Sequence, residues 1–544
     1  MAPVEPRRGT HEVFNQPPPL EGYDLFDQDA VLKEAVGREG GEWGLPALSR
    51  FGQAVGGEPL QLGAVADRNP PVLRTHDRYG HRIDDIEFHP AWTELLRLGI
   101  RAEIPSLPWR DGRPGSHVVR GGLLMLLSQA EAGVGCPLSM TYASIPAIRH
   151  SPEVAAAWEP LLLDPEPSRA ALCGMAMTEK QGGSDVRANT TQADPAGEGF
   201  YSLTGHKWFC SHPVSDAFLV LAQAPGGLSC LLLPRVLPDG TRNAGFRIVR
   251  LKEKLGTRAL ASAEVEFDGA LAWPIGEEGR GISVIIDMVN HTRLDCVLGS
   301  AAVMRRAVAE ATHHAAHRSA FGKALIDQPL MENLLADLCV ESEAATMLAV
   351  RLARAYEADA DAAFRRPATA IAKYWVCKRA SSHVVEALEC LGGNGYVEES
   401  PMPRLLRDSP LNSIWEGSGN VIALDVLRTF SKDPQSFEAL MGEIELAAGA
   451  DPRLDRHIDG ARAGVPALAS GDEREAQYLA RRIVGGLGLI LQASLVVRHS
   501  PPPVAEAFLA SRLAYETDRT FGTLPAGIDC QAIIERHRPK LTGG

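Results

Sequence analysis

The chain has 544 residues, 45% hydrophobic and 23% charged, with 55 Lys plus Arg against 68 Asp plus Glu and a net charge of −13. This is a globular composition, long enough for three or four domains with interior room for a cofactor, and the acid excess excludes a chain whose whole surface embraces nucleic acid. Nine scattered cysteines, odd in number and never in a C-x-x-C pair, argue against a disulfide framework or a zinc knuckle and fit a reducing cytoplasm.

The first twenty residues carry charge but no apolar core, so no secretory signal is expected. Residues 1–168 read as a helical N-terminal domain. Apolar residues recur at helical spacing from about Asp29 to Trp158, as in Ala91, Leu95, Leu96 and Leu98, interrupted by Gly/Pro clusters. Residues 169–275 change to short runs separated by Gly, Pro and Asp. In the alternating stretch Ser262–Asp268, Ala263, Val265 and Phe267 fall on one face and Glu264, Glu266 and Asp268 on the other, which predicts a small β domain. Residues 276–432 return to long helices, Ile282–Arg318, Pro329–Ala360 and Arg366–Leu391, with no further strand signal. Residues 433–544 add a C-terminal helical domain whose longest helix runs from about Glu473 to His499. The longest mostly apolar run, Val484–Val497, has 14 residues and contains Gln492 and Ser494, short of the roughly 18 that a bilayer crossing needs, so no membrane span is expected.

The fold class is therefore mainly α with a small β domain. Segregated strands and helices argue against a doubly wound nucleotide-binding sheet. The glycines agree: Gly392-Gly-Asn-Gly follows a helix, and no G-x-G-x-x-G opens one after a strand.

Chemistry concentrates first in Gly174-Met-Ala-Met-Thr-Glu-Lys-Gln-Gly-Gly-Ser-Asp185, a loop able to cradle a planar ring or a phosphate. Gly182 and Gly183 allow close backbone approach, and Thr178 and Ser184 offer uncharged hydroxyls. Taken alone, the same composition also describes a polar turn between strands. Four further motifs follow in order: Gly205-His-Lys-Trp-Phe-Cys-Ser211, Arg318–Gln328, Leu391-Gly-Gly-Asn-Gly-Tyr396 and Ile414-Trp-Glu-Gly-Ser-Gly-Asn420. With these five motifs the chain resembles the acyl-CoA dehydrogenase family of flavoproteins over essentially its whole length. Thr10-His-Glu-Val-Phe-Asn-Gln-Pro-Pro-Pro-Leu, the paired glycines of Glu179-Lys-Gln-Gly-Gly-Ser-Asp and the residues after Lys432 resemble the AidB-like, alkylation-response branch.

The resemblance implies a helical N-terminal domain, a β-barrel-like middle domain, a helical bundle completing an FAD site and an appended helical domain. It implies that Met175, Met177, Thr178, Gly183, Ser184, Phe209 and Ser211 wrap the flavin, and that Ile414, Trp415, Gly417, Ser418, Gly419 and Asn420 close over it and its pyrophosphate. Arg318, Phe321 and Gln328, with Gly392 and Gly393, match segments that reach the FAD of a neighbouring subunit, implying an oligomer, a homotetramer in this branch. Glu389 stands where many members have glutamine. Glu416 matches the catalytic base, which takes a proton from the carbon beside a thioester carbonyl. Read without the family, the same residue is a solvated or capping acid in a turn. Trp415 is larger than the usual aromatic there, so only short or branched acyl chains are expected to fit.

His313, His314 and His317 share helix faces without an H-E-x-x-H pattern. No metal is expected, and these histidines are read as lining a surface or a subunit contact. Cys210 is given no role. Three functions remain open: a flavoprotein that binds double-stranded DNA and protects it from alkylation, a short- or branched-chain acyl-CoA dehydrogenase with an assembly domain, and a flavin oxidase or hydroxylase. Residues 431–544 carry 13 Lys plus Arg against 15 Asp plus Glu, so they are not a basic domain. Eleven of the 13 cations are arginine, which suits phosphate. Arg428, Arg481, Arg482 and Arg519 are the candidate DNA contacts, with a second cluster at Arg536-His-Arg-Pro-Lys540.

Overall fold

The long strands gather between Cys173 and Ile275, with helices on either side, as their residue patterns predict. The computed structural model describes residues 13–357, 361–469, 471–514 and 520–541. In the N-terminal part, Ser116–Ala130 (α1) is buried at every position, consistent with its run of small and apolar residues, and Gly135–Ile148 (α2) is buried at nearly all of its positions. Two strands interrupt this helical region, contrary to the sequence reading. Val72–His76 (β1) and Arg82–Glu87 (β2) pair as an antiparallel hairpin. Its buried face alternates Asp84 with Ile86, so no apolar period marks it. Asp84 is held by Arg82 at 3.0 Å and Arg242 at 2.8 Å, and Arg82 also donates to the Ile248 carbonyl at 2.8 Å, docking the hairpin on the middle domain.

The middle domain contains Cys173–Ala176 (β3), Gln192–Gly197 (β4), Phe200–Ser211 (β5), Ala217–Ala224 (β6), Gly227–Pro234 (β7), Phe246–Leu251 (β8) and Ser262–Ile275 (β9). The pairings β6–β4, β4–β5, β5–β9, β9–β7 and β7–β6 close a ring, with β3 parallel on β6 and β8 antiparallel on β9. Ala263, Val265 and Phe267 point into the barrel core as expected. Glu264, read as outward, is covered by Arg250 and Lys252, both at 2.6 Å.

Gly281–His317 (α3), Pro329–Arg354 (α4) and Ala362–Glu389 (α5) form the central bundle. Between α3 and α4 lie two short paired strands, Ser319–Ala320 and Lys323–Ala324, too brief for any periodic signal. Gly419–Lys432 (α6) and Glu473–His499 (α7) follow. Helix α7 is apolar enough over 18 residues to cross a membrane by composition, but 67% of that stretch is buried within the protein. Leu487, Leu491 and Leu495 belong to the same core cluster as Leu298 of α3 and Val119 of α1. The C-terminal helices thus share one core with the rest of the helical body. Arg305 of α3 ties the ends of the chain together, pairing with Asp29 at 3.1 Å and donating to the carbonyls of Gln28 and His537.

Candidate active site

The Met175–Ser184 loop leaves the end of β3 and is locked from beneath. Glu179 and Lys207 are fully buried and pair at 2.8 Å. Glu179 also accepts from the backbone N–H of Thr190 at 2.7 Å and of Thr191 at 3.1 Å. Burial pushes its carboxyl up, but the bonds from Lys207, Thr191 and Thr190 outweigh this and hold it well below the usual carboxylate range. Asn189 and Lys207 donate to the Met177 carbonyl, and Trp208 N–H donates to the Thr178 carbonyl at 2.8 Å. Met177 and Thr178 are therefore fixed on the rim of β5, while Gly183 and Ser184 lie exposed. A Cβ on Gly183 would stand 2.3 Å from Thr178 Oγ1, so only glycine lets the loop fold back on that hydroxyl.

On the facing wall, Glu416 adopts φ +60 and Gly417 φ +105 in the turn before α6. A left-handed conformation at glutamate is strained and needs support. Arg293 supplies some, donating to the Glu416 carbonyl at 3.0 Å while pairing with Asp425 at 3.0 Å, and the Lys373 ammonium donates to the Gly417 carbonyl. The side chain is held too, because Thr292 Oγ1 donates to Glu416 Oε2 at 2.9 Å. Burial raises the Glu416 pKa, and Thr292, Arg293 and Lys373 offset this only in part. Trp415 is pinned by its indole N–H to Asn412 at 2.9 Å.

The two walls meet at Cys136 of α2. It hydrogen-bonds Ser211, feels the charge of Glu416, and has its thiol pushed by burial up to about 12. Beside it, Lys254 donates to the Leu260 carbonyl at 2.7 Å and to Ser262, the residue opposite Ser211 across β5–β9. Phe209 and Ile414 remain 52% and 61% exposed. Large apolar side chains left open beside the hydroxyls of Thr178 and Ser211 suit a planar heteroaromatic ring with polar edges.

The other expected cofactor residues gather elsewhere on this chain. Arg318 donates to the Asn15 carbonyl at 2.8 Å, Ser319 exchanges two hydrogen bonds with the Asn15 side chain, and Asn394 donates to Gln16 at 3.2 Å. The N-terminal segment thereby joins the Arg318 motif to the exposed Gly392–Gly393 turn. Phe321 sits fully exposed at φ +53 between the two short strands, and Gln328 braces them through the Ala320 carbonyl at 2.9 Å. Three family descriptions match the chain in order: adaptive response protein AidB N-terminal domain over residues 15–166, acyl-CoA dehydrogenase middle domain over 174–270, and acyl-CoA dehydrogenase C-terminal domain over 279–430. The chain is 45% identical over 514 residues to the putative acyl-CoA dehydrogenase AidB of Escherichia coli (strain K12), covering 92% of this chain and 94% of that one. This chain belongs to the AidB branch of the acyl-CoA dehydrogenase family.

That branch is one of the acyl-CoA dehydrogenase-type FAD oxidoreductases. The Caenorhabditis elegans protein ACDH-11, solved in complex with C11-CoA, superposes with a TM-score of 0.84 at 27% identity, covering 98% of this chain and 93% of that one. A Bacillus anthracis acyl-CoA dehydrogenase solved with FAD shares the fold, with a TM-score of 0.67 at 19% identity over 77% of this chain and 81% of that one.

Thr292, Arg293, Lys373, Cys136 and Lys254 were not singled out from the sequence of this AidB-branch chain. The signal available was charge inside apolar helices, as at Lys373 between Ile371 and Val376. Other expectations need correction. His313 and His314 do not line a surface: both are buried, and His313 Nε2 contacts the Pro18 carbonyl at 2.8 Å. The Arg536–Lys540 cluster is not open to phosphate, because Arg536 pairs with Glu34 and Glu343, and Arg538 and Lys540 with Glu535. Cys210, given no role, is fully buried, in keeping with that reading. Arg428 is exposed, 3.9 Å from Asp425, and Arg482 is exposed. Arg481 is exposed as well, with its Nε turned to the Tyr374 hydroxyl at 3.2 Å. Arg519 lies outside the described residues.

Proposed function

We propose that this AidB-branch chain is an FAD flavoprotein that binds double-stranded DNA without sequence preference and protects it in the adaptive response to alkylation. It works in the cytoplasm as a homotetramer and turns over short or branched acyl-CoA weakly. The observation that carries the catalytic half is Glu416: a carboxylate with raised basicity, held by Thr292, on a strained turn that Arg293 and Lys373 clamp.

Met175, Met177, Thr178, Gly183, Ser184, Phe209 and Ser211 would hold the flavin ring, and Trp415 and Gly417–Asn420 would lie over its other parts. Arg318, Phe321, Gln328, Gly392 and Gly393 would serve the FAD of a neighbouring copy, which accounts for a fully exposed Phe321. When bound, the flavin supplies the acceptor for the hydride that leaves the substrate's β-carbon. Glu416 takes the α-proton, and desolvation makes it the stronger base that this step wants. The clamp on its carbonyl fixes the Glu416–Gly417 peptide and with it the strained turn, from which the backbone N–H of Glu416 would meet a thioester oxygen that gains charge as the proton leaves. Trp415 is tethered to Asn412 by its indole N–H at 2.9 Å, which supports a short acyl cavity.

DNA binding is what the resemblance to the alkylation-response branch implies, and exposed Arg428 and Arg482 support it. A metabolic acyl-CoA dehydrogenase with an assembly domain is the second reading. It is favoured by the many C-terminal arginines spent inside the fold, such as Arg512 on Asp337 and Glu341 and Arg498 on Glu443. Duplex retention measured against salt separates the two: steep salt dependence fits the first reading, and no retention at low salt fits the second.

A further inference from the structure

A pocket of about 400 Å³ opens where α5, the turn before Glu416 and α7 meet, lined among others by Lys378, Ser381, Pro410, Ser413, Ile414 and Arg481. Two cations face it, one from the central bundle and one from the C-terminal helices. Among the described residues, neither Lys378 nor Arg481 has a carboxylate within 4 Å, whereas Arg498, Arg512 and Arg536 are all paired. The Lys378 ammonium lies 2.8 Å from where a Cβ on Gly419 would stand, so it rests on the first residue of α6, and glycine is what makes room for it. Arg481 is steadied by the Tyr374 hydroxyl at 3.2 Å, and the Lys378 ammonium sits 5.6 Å from the centre of the same ring. A third cation, Lys373, is close behind on the Gly417 carbonyl. Burial and the charges of Arg481 and Lys373 together lower the Lys378 pKa. Like charges gathered around one pocket without a counter-charge are matched by a ligand that brings two negative charges. A diphosphate does so, and forked guanidinium and point-like ammonium donors both suit it. The pocket touches Ile414 on one side of the turn that carries Glu416, and Lys378 on its wall rests on Gly419 at the other side.

We propose that Lys378 and Arg481 hold the diphosphate of a bound flavin adenine dinucleotide, so that α7 of the C-terminal domain supplies a cation to the cofactor site. This rests on the flavoprotein reading above, and it takes Arg481 out of the set available to duplex DNA.

The test compares FAD with riboflavin, which has the same ring and no phosphate, on full-length apoprotein by quenching of flavin fluorescence. Lys378→Gln and Arg481→Gln should each weaken FAD at least about tenfold, leave riboflavin affinity unchanged, and keep the melting temperature of the apoprotein. Arg481→Lys should restore much of the loss. Unchanged FAD affinity in both glutamine variants overturns the assignment, as does a parallel loss for riboflavin. A loss confined to retention of duplex DNA at low salt overturns it in favour of a nucleic-acid phosphate. If the unaltered protein takes up no FAD, the flavoprotein reading fails first and this inference falls with it, a result distinct from a wild-type protein that binds FAD and variants that bind it equally well.

Discussion

Thr292 Oγ1 donates a 2.9 Å hydrogen bond to Glu416 Oε2, and the next residue, Arg293, holds the Glu416 carbonyl at 3.0 Å. One turn of α3 thus sets both the side chain and the backbone of the candidate base. Burial drives the Glu416 pKa upward while the Thr292 hydroxyl works against it.

Thr292→Val should therefore raise the Glu416 pKa further, by about one unit. The base acts as carboxylate, so activity is lost as pH falls through its pKa. In the variant, the acid limb of the rate of flavin reduction by a short-chain acyl-CoA should move to higher pH. An acid limb that stays in place would show that Thr292 does not tune the base.

The buried Glu179–Lys207 pair anchors the loop that carries Met177 and Thr178. Lys207→Met should destabilise the protein by about 3–5 kcal/mol, because it leaves a buried carboxylate without its partner. Adding Glu179→Gln should recover part of that loss. Denaturant unfolding reads both, and equal midpoints for the single variant and the parent would refute the anchoring role.

Phe321 projects fully exposed from the paired short strands next to Arg318. Phe321→Asp should shift the proposed homotetramer towards smaller species in light scattering and weaken FAD at the same time, if the tip enters a neighbouring copy. Loss of one property without the other would separate assembly from the cofactor site.

Of the candidate DNA contacts among the described residues, Arg428 and Arg482 are the ones left for binding the duplex once Arg481 is assigned to the cofactor pocket. Replacing each with Gln should reduce the slope of log affinity against log salt by about 0.9 for each phosphate that is no longer neutralised. The flavin spectrum should not change. A slope untouched by the double variant would leave the assembly-domain reading.

Helix Glu473–His499 is legible in sequence because Leu487, Leu491 and Leu495 keep a four-residue interval; in the structure Asp472 caps its start, accepting from Glu475 N–H. The hairpin β1–β2 is not, since its inward positions are Asp84 and Ile86 and the aspartate finds its partner at Arg242, far along the chain. The same limit governs the charged residues. Arg536 reads as a free phosphate ligand until the fold places Glu34 beside it, 502 residues away in sequence. Around the candidate base, the turn motif names Glu416 itself, but its neighbours Thr292, Arg293, Lys373 and Cys136 come from three other helices, and no local pattern announces that meeting. The turn is conspicuous because its glycines are local features, while the left-handed glutamate shows only in the structure. The clamp that supports it is tertiary.

The most direct test of the account is anaerobic titration of the FAD-loaded protein with a short-chain acyl-CoA, followed by the visible flavin absorbance, for the parent and Glu416→Gln. The amide keeps the shape and loses the basic oxygen. The account predicts slow bleaching in the parent and a rate at least about 10²-fold lower in the variant, with FAD still bound. Bleaching at the same rate in both proteins, or a protein that takes up no FAD at all, would contradict it.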